Sequence, residues 1–319
     1  MKNVLRFLRK TYFFFNNKSS KSFNRENIIN DPDKASDIIY NALMSDNPLM
    51  VGRFGANELN CLTNYLSIKS KKRDYIKYIT GEIQAWWWVD GIIENLYNVA
   101  GFYPTEKSHL KKFCNLMICD AQELDIIGSW LEQENTFKDI LLSKPKIWID
   151  FLTPFFSEKP WTKALEGKNV LVVHPFAKTI ESQYLKKDLL FKNEILPSFN
   201  LKTIKAVQTV AGNKSEFDTW FGALDYMKSE IDKVDYDICL IGCGAYGFPL
   251  AAHVKRNGKK SIHLGGSLQL LFGIRGKRWE NPNLNKDYSF FDLMNEHWVR
   301  PSIEETPQNS VKVEGATYW

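Results

Sequence analysis

Apolar positions along the chain recur in two rhythms. Ala35, Ile38, Ile39, Ala42 and Leu43 fall on one helical face, the three-and-four spacing of a helix that buries one side. The short run Leu49-Met50-Val51 follows, then Gly52-Arg53-Phe54-Gly55 and a new helical start near Ala56, which predicts strand, turn, helix. From Ile68 to Glu134 the pattern is helical and dense in aromatic residues, with Trp86-Trp87-Trp88 inside it. Neighbours on a helix point about 100° apart, so three consecutive indoles cannot share one core. At least one should line a groove or an interface.

The second half alternates. Asn169 to His174 predicts a buried strand with a helix from about Ala177, and Lys202 to Val207 a weaker strand. Glu216 to Lys233 sets Phe217, Phe221, Leu224, Met227 and Ile231 on one stripe of a helix. Tyr236 to Ile241, Ala245 to Asn257 and Lys260 to Leu264 then read strand, helix, strand. Such alternation predicts parallel pairing through right-handed crossovers, hence an α/β fold with a Rossmann-like, doubly wound, mainly parallel sheet flanked by helices. The expected organisation is a basic and aromatic segment with a linker over 1–34 and one catalytic domain over 35–319. Within that domain a helical insertion spans about 68–145 and a nucleotide-binding part about 146–280. No internal repeat is visible.

Composition narrows the function classes. With 319 residues, 44% hydrophobic and 25% charged, the bulk of the chain is not disordered. The net charge of +5 suits an anionic ligand. Its lysines are dispersed and no recognition motif accompanies them, which argues against nucleic acid. Cys61, Cys114, Cys119, Cys239 and Cys243 form neither a CxxC pair nor a disulfide framework, so a reducing, cytoplasmic setting is expected. No run approaches the roughly 20 apolar residues of a bilayer span. At the N-terminus, Lys2, Arg6, Arg9 and Lys10 interleave with Val4, Leu5, Phe7, Leu8 and the run Tyr12 to Phe15. The polar Asn16-Asn17-Lys18 comes next, where a secretory signal would carry a small-residue cleavage site. Residues 1–15 are therefore expected either to rest on an anionic membrane surface, peripherally at its inner face, or to pack on their own domain.

Chemistry is expected at four strand ends. Gly242-Cys243-Gly244-Ala245-Tyr246-Gly247 fits G-x-G-x-x-G between a strand and a helix. Glycines there permit a tight turn and close approach of backbone amides to phosphate, and the helix N-terminus adds partial positive charge. A dinucleotide site would also need a carboxylate roughly 20 residues on. That place holds His263-Leu264-Gly265-Gly266, so the phosphate turn is retained and a nicotinamide cofactor is disfavoured. Glycines serving only helix-on-strand packing are the plainer reading. Ser267 and Gln269 extend the His263 turn. His174 ends another strand, with Thr179, Glu181 and Gln183 opening its helix; a lone histidine is more often structural, but its place at a strand end favours donation to a diphosphate or ribose. Arg275, Lys277 and Arg278 lie beside Trp279 and could neutralise a diphosphate while the indole stacks on a base or sugar, unless they form a solvated loop. Arg53, Gly55, Asn57 and Glu58 follow the first strand, where a first-turn glutamate could also be a simple helix-dipole charge.

These residues resemble a known family. The Arg-Phe-Gly-x-x-Glu segment at Arg53 to Glu58, with the C-terminal strand-helix-strand ending Ile262-His263-Leu264-Gly265-Gly266, is similar to the GT-D-fold glycosyltransferases of bacterial adhesin glycosylation and surface-polysaccharide assembly. The resemblance covers about Pro48 to Trp279. It implies a UDP-sugar donor, a glycan or lipid-linked glycan acceptor, and a D-x-E motif serving a metal-diphosphate site, with manganese or magnesium as the ion. Glu58 matches the glutamate of that motif; Ala56 stands at the aspartate position. Loss of that carboxylate weakens a hard-cation site and favours a metal-independent reaction, with Arg53, His174 and Arg278 neutralising the diphosphate. No residue is assigned as a metal ligand. Glu58 is the first candidate for catalytic base and His174 the second. An NAD(P)-dependent oxidoreductase and a non-catalytic nucleotide-sugar-binding protein are the alternative readings.

Overall fold

A computed structural model describes residues 1–16, 27–213, 215–282, 288–312 and 317–319. Most of the expected linker, 17–26, lies outside the described residues. Seven strands form the core: β1 (Leu49–Gly52), β2 (Ile126–Ser129), β3 (Lys146–Trp148), β4 (Asn169–His174), β5 (Asn200–Lys205), β6 (Ile238–Ile241) and β7 (Lys260–His263). They make one sheet in the order β3-β2-β1-β7-β6-β4-β5, and every pairing is parallel. The fold is the α/β, Rossmann-like class expected from the alternation.

Side chains alternate across the sheet, as strand geometry requires. Met50, Leu171, Val173, Cys239 and Ile241 enter a core built with the helices Ala56–Lys69, Lys107–Asp120, Trp220–Asp232 and Gly247–Arg256. Leu49, Val51, Val170, Val172 and Leu240 enter the opposite core with Pro32–Met44 and Ala177–Tyr184. Cover on both faces explains why β1, β4 and β6 read as continuous apolar runs. Helix starts follow local chemistry. Asp31 accepts a hydrogen bond from the Lys34 amide at 3.0 Å, with Pro32 at the first helical position. Thr219 caps Trp220–Asp232 through the Gly222 amide at 3.1 Å, so that helix begins later than its apolar stripe predicts.

The stretch expected to be helical from Ile68 is broken. Helices cover Ala56–Lys69, Tyr75–Thr80, Asp90–Asn98 and Lys107–Asp120, and then comes β2, inside the expected helical insertion. Four residues buried on both faces carry no period to distinguish strand from helix. Trp86-Trp87-Trp88 lies outside any helix. Trp87 is buried, Trp86 lines a groove, and Trp88 stacks on Tyr65 at 6.0 Å.

Because all strands run one way, their C-terminal ends share one edge of the sheet. β4 leads outward to β5 whereas β6 leads back to β7, and between strands that depart in opposite directions an open sheet leaves a crevice. The partners of the central seam are 211 residues apart in the chain, where β1 pairs with β7 as Leu49 with Lys260 and Val51 with Ile262.

Candidate functional site

The ends of β1, β4, β6 and β7 open on one cavity of about 170 Å³. Of the residues singled out in the sequence, Arg53, Gly55, Asn57, Glu58, His174, Gly242, Gly244, Tyr246, His263, Gly265, Gly266, Gln269 and Arg278 line it. An adjoining hollow of about 220 Å³ shares five wall residues with it: Arg53, Trp130, Gly266, Arg278 and Tyr318. Ser267 lines only this second hollow, its hydroxyl donating to the Leu264 carbonyl at 2.9 Å.

Glycines seat the charged and aromatic side chains of the wall. A Cβ on Gly55 would fall 2.0 Å from Glu58 Oε2, and one on Gly247 would fall 2.2 Å from the His263 ring. One on Gly266 would meet the Tyr318 ring at 2.3 Å. Gly265 has a φ of +63°, and a Cβ there would strike the Arg53 guanidinium at 2.5 Å. Gly242 is hemmed in by the Gly265 carbonyl at 2.6 Å and the His174 ring at 2.8 Å. The glycine-rich turns therefore hold protein side chains in place, and only Gly244 presents an open face, with its nearest neighbour the Ala100 carbonyl at 3.7 Å. Ala245 is buried and, like Gly247, lies outside the cavity lining.

Glu58 is buried, and burial raises its pKa above the ordinary value, opposed by the Arg53 charge and by its own backbone amide. A carboxyl that holds its proton more readily than usual is a better base. Both histidines are driven the other way, to about 3, His174 by burial and His263 by burial and then by Arg53. His174 Nδ1 accepts the Phe176 amide hydrogen at 3.0 Å, so the neutral ring carries its proton on Nε2 and acts as a donor. That chemistry does not suit the base role considered for it. His263 Nδ1 donates to the Ile241 carbonyl at 3.3 Å.

Arg53 donates to the Phe54 carbonyl at 3.1 Å and lies 5.8 Å from the centre of the Trp130 ring. Neither Arg53 nor Arg278 is in an ion pair with a carboxylate among the described residues. The rest of the expected cationic cluster is otherwise engaged. Arg275 turns into the fold, donating to the Trp298 carbonyl at 2.8 Å. Trp279 is buried and lines the second hollow.

Two expected site residues are structural. Thr179 lies at a helix N-terminus that already holds an anion, the carboxylate of Glu305. It accepts from the Lys178 amide at 2.8 Å, the Thr179 amide at 3.2 Å and the Thr179 hydroxyl. Gln183 is buried and spends its amide on the Gly273 and His297 carbonyls at 3.3 and 3.0 Å. Conversely, Trp130, Thr209, Tyr318 and Trp319 line the cavity without having been singled out. Trp130 donates through Nε1 to the Phe54 carbonyl at 3.1 Å, while Glu134 accepts from its backbone amide at 3.0 Å. Gln269 donates to the Tyr318 carbonyl at 3.1 Å, which ties the returning chain across the site. Trp319 is buried and its indole nitrogen has no hydrogen-bond partner among the described residues.

Manganese or magnesium fits this donor set poorly. Glu58 is the one carboxylate lining the first cavity and Asp150 the one lining the second, among the described residues; a hard cation wants several oxygens together, and the cation beside Glu58 is Arg53. Among the described residues no cluster of three His, Cys, Asp or Glu side chains is placed to hold a metal.

No protein-family model matches this chain, and no curated protein matches it. Two solved structures are similar over 74% of this chain and 82% of theirs, each at 12% identity and a TM-score of 0.37. One is described as the highly conserved domain of unknown function 1792, with a distinct glycosyltransferase fold, and the other is the selenomethionine-substituted structure of that domain.

Proposed function

We propose that this chain is a glycosyltransferase that takes a sugar from a nucleoside diphosphate sugar, UDP-sugars foremost, to a hydroxyl of a glycan or lipid-linked glycan. The observation that carries the reading is the pair Arg53 and Arg278, neither in an ion pair among the described residues, in the wall shared by two hollows, with Arg53 near one buried acid, Glu58. A diphosphate offers such a pair adjacent anionic groups. Each hollow is smaller than the roughly 300 Å³ of a typical ligand pocket, so the donor would span both, nucleoside on one side and sugar on the other, with Tyr318 yielding between them.

The chemistry follows from the charges. The acceptor hydroxyl oxygen bonds to the anomeric carbon, its proton passes to the Glu58 carboxylate, and the bond from that carbon to the diphosphate breaks. The electron pair leaves with the diphosphate, whose charge Arg53 and Arg278 offset and to which His174 Nε2–H can donate. No metal takes part in this scheme. A separate groove of about 770 Å³ follows the C-terminal half of the helix Ala56–Lys69, with Thr63, Ser67, Ser70 and Gln133 in its lining, and offers hydroxyls and amides to an acceptor glycan. The five free thiols fit a cytoplasmic setting. The dinucleotide alternative lacks its ribose carboxylate at β7, where His263 stands instead.

The test is calorimetric titration with UDP-, GDP- and CMP-sugars and with NADH, each with and without manganese, followed by a donor-turnover assay with glycan acceptors. The proposal expects one nucleotide sugar to bind and turn over without added metal. Tight NADH binding, or donor binding with no turnover with any acceptor, would replace it with the oxidoreductase or the binding-protein reading.

A further inference from the structure

Among the described residues no helix is long and apolar enough to cross a membrane, yet the helix Lys2–Phe15 is mounted with its charged side inward. Leu5 is buried, and Arg9 donates to the Tyr78 and Ile83 carbonyls at 3.1 and 3.2 Å with its guanidinium 4.8 Å from the centre of the Tyr78 ring. Arg6 pairs with Asp90 at 3.7 Å and, like Lys2, approaches the Trp87 ring. The opposite side carries Val4, Phe7, Leu8, Phe14 and Phe15, which are 60, 66, 42, 80 and 76% exposed. Their spacing puts them on one stripe of the helix. A contiguous stripe of large apolar side chains held in water by a well-anchored helix marks a surface that is covered in use.

The charge of this segment of the sequence selects what covers the stripe. In the sequence, residues 1–26 hold seven Lys and Arg against one acid, Glu26, and on the helix itself Lys2 and Lys10 are exposed. A second copy would bring the same positive charge against it. An anionic bilayer brings the complementary charge and an apolar layer for the phenylalanines, and helices of this composition lie in the headgroup boundary about 5–10 Å deep. We propose that the outward face of Lys2–Phe15 docks the protein on the surface of a bilayer containing anionic lipid. The same helix sends Phe13 into the lining of the groove proposed for the acceptor, so docking would bring that groove to the membrane surface. The docking itself stands without the sugar-transfer reading, because vesicle binding needs neither donor nor acceptor.

Flotation of the full chain with vesicles of phosphatidylcholine, with and without phosphatidylglycerol, tests it. The protein should rise with the anionic vesicles, less so as salt increases, and remain in solution with phosphatidylcholine alone. A Phe7→Ser/Phe14→Ser/Phe15→Ser variant should keep its Tm, since these side chains are exposed, and lose partitioning by about tenfold or more. Should that variant fail to fold, Phe7→Ser and Phe15→Ser singly should each weaken partitioning severalfold. The proposal is overturned if the native chain stays out of anionic vesicles, or if folded variants float as it does. Self-association in lipid-free sedimentation equilibrium that the same variants abolish, with no vesicle binding, would instead assign the face to a second copy.

Discussion

The carboxylate of Glu58 occupies the space a side chain would take on Gly55, its Oε2 2.0 Å from where a Cβ would stand. Because Gly55 immediately precedes the helix that carries Glu58, the turn and the acid are one unit. Glu58→Gln should lower sugar transfer about a hundredfold or more, the scale of a lost general base. Gly55→Ala should lower it about tenfold or more by swinging the carboxylate away. Steady-state turnover checks both, with circular dichroism to confirm the fold. Unchanged turnover in Glu58→Gln removes that residue from the base role.

The pH profile should carry the same signature. A base must be deprotonated to work, and burial raises the Glu58 pKa. The acid limb of turnover is therefore expected above the ordinary 4.5 of a glutamate and absent from the residual rate of Glu58→Gln.

Stability should respond to the histidines with the opposite sense. His174 and His263 are held near 3 in the fold, against 6.5 unfolded. The unfolded chain therefore binds more protons between those values. Their contribution is complete above 6.5 and is lost as pH falls toward 3, at up to about 1.4 kcal/mol per pH unit for each ring. Glu58 works against this, since its raised pKa favours the folded state as pH falls. Urea midpoints across that interval should fall with acid, and His174→Gln or His263→Gln should flatten the slope.

Arg278 is exposed and Arg53 half-buried. Arg278→Ala should leave the Tm unchanged and weaken binding of a nucleoside diphosphate about tenfold or more by calorimetry. Arg53→Lys should also weaken it, because a point charge does not reproduce the guanidinium fork. Equal affinity in Arg278→Ala would take the diphosphate away from the shared wall.

Of the five cysteines, Cys119 is exposed and the other four are buried. The Cys61 contact and burial push the Cys114 thiol up, and burial does the same to Cys239 and Cys243. Ellman's reagent should find one fast thiol in the native chain, lost in Cys119→Ser, and the rest only on unfolding.

Strands β1, β4, β6 and β7, and the glycine turn after β6, were legible because burial on both faces and helical periodicity leave distinct marks in a sequence. β2 is no shorter than β1, but only Ile126 and Ile127 are apolar before Gly128 and Ser129, and β3 has three residues, Lys146 to Trp148, so neither left an apolar run to read. Thr179 and Gln183 looked like site residues because they follow a strand end; what a helix N-terminus binds depends on who arrives there. Glu305 arrives from 126 residues downstream. Trp130, Tyr318 and Trp319 carry no motif, and the one trace of Tyr318 is Gly266, whose missing side chain makes room for a ring that the sequence does not name.

The seam between β1 and β7 has a consequence for how the molecule comes into being. Its central strand pair cannot form until the chain has been made at least to residue 263, so the first half waits with an unpaired edge for a partner some two hundred residues away. Closing so long a loop adds only logarithmically to the entropy to be overcome, but contacts this distant slow folding and leave that edge open to wrong partners meanwhile. Neither half holds a complete sheet. Cutting the chain between β3 and β4 should therefore yield two fragments that aggregate apart and recover native structure only when refolded together.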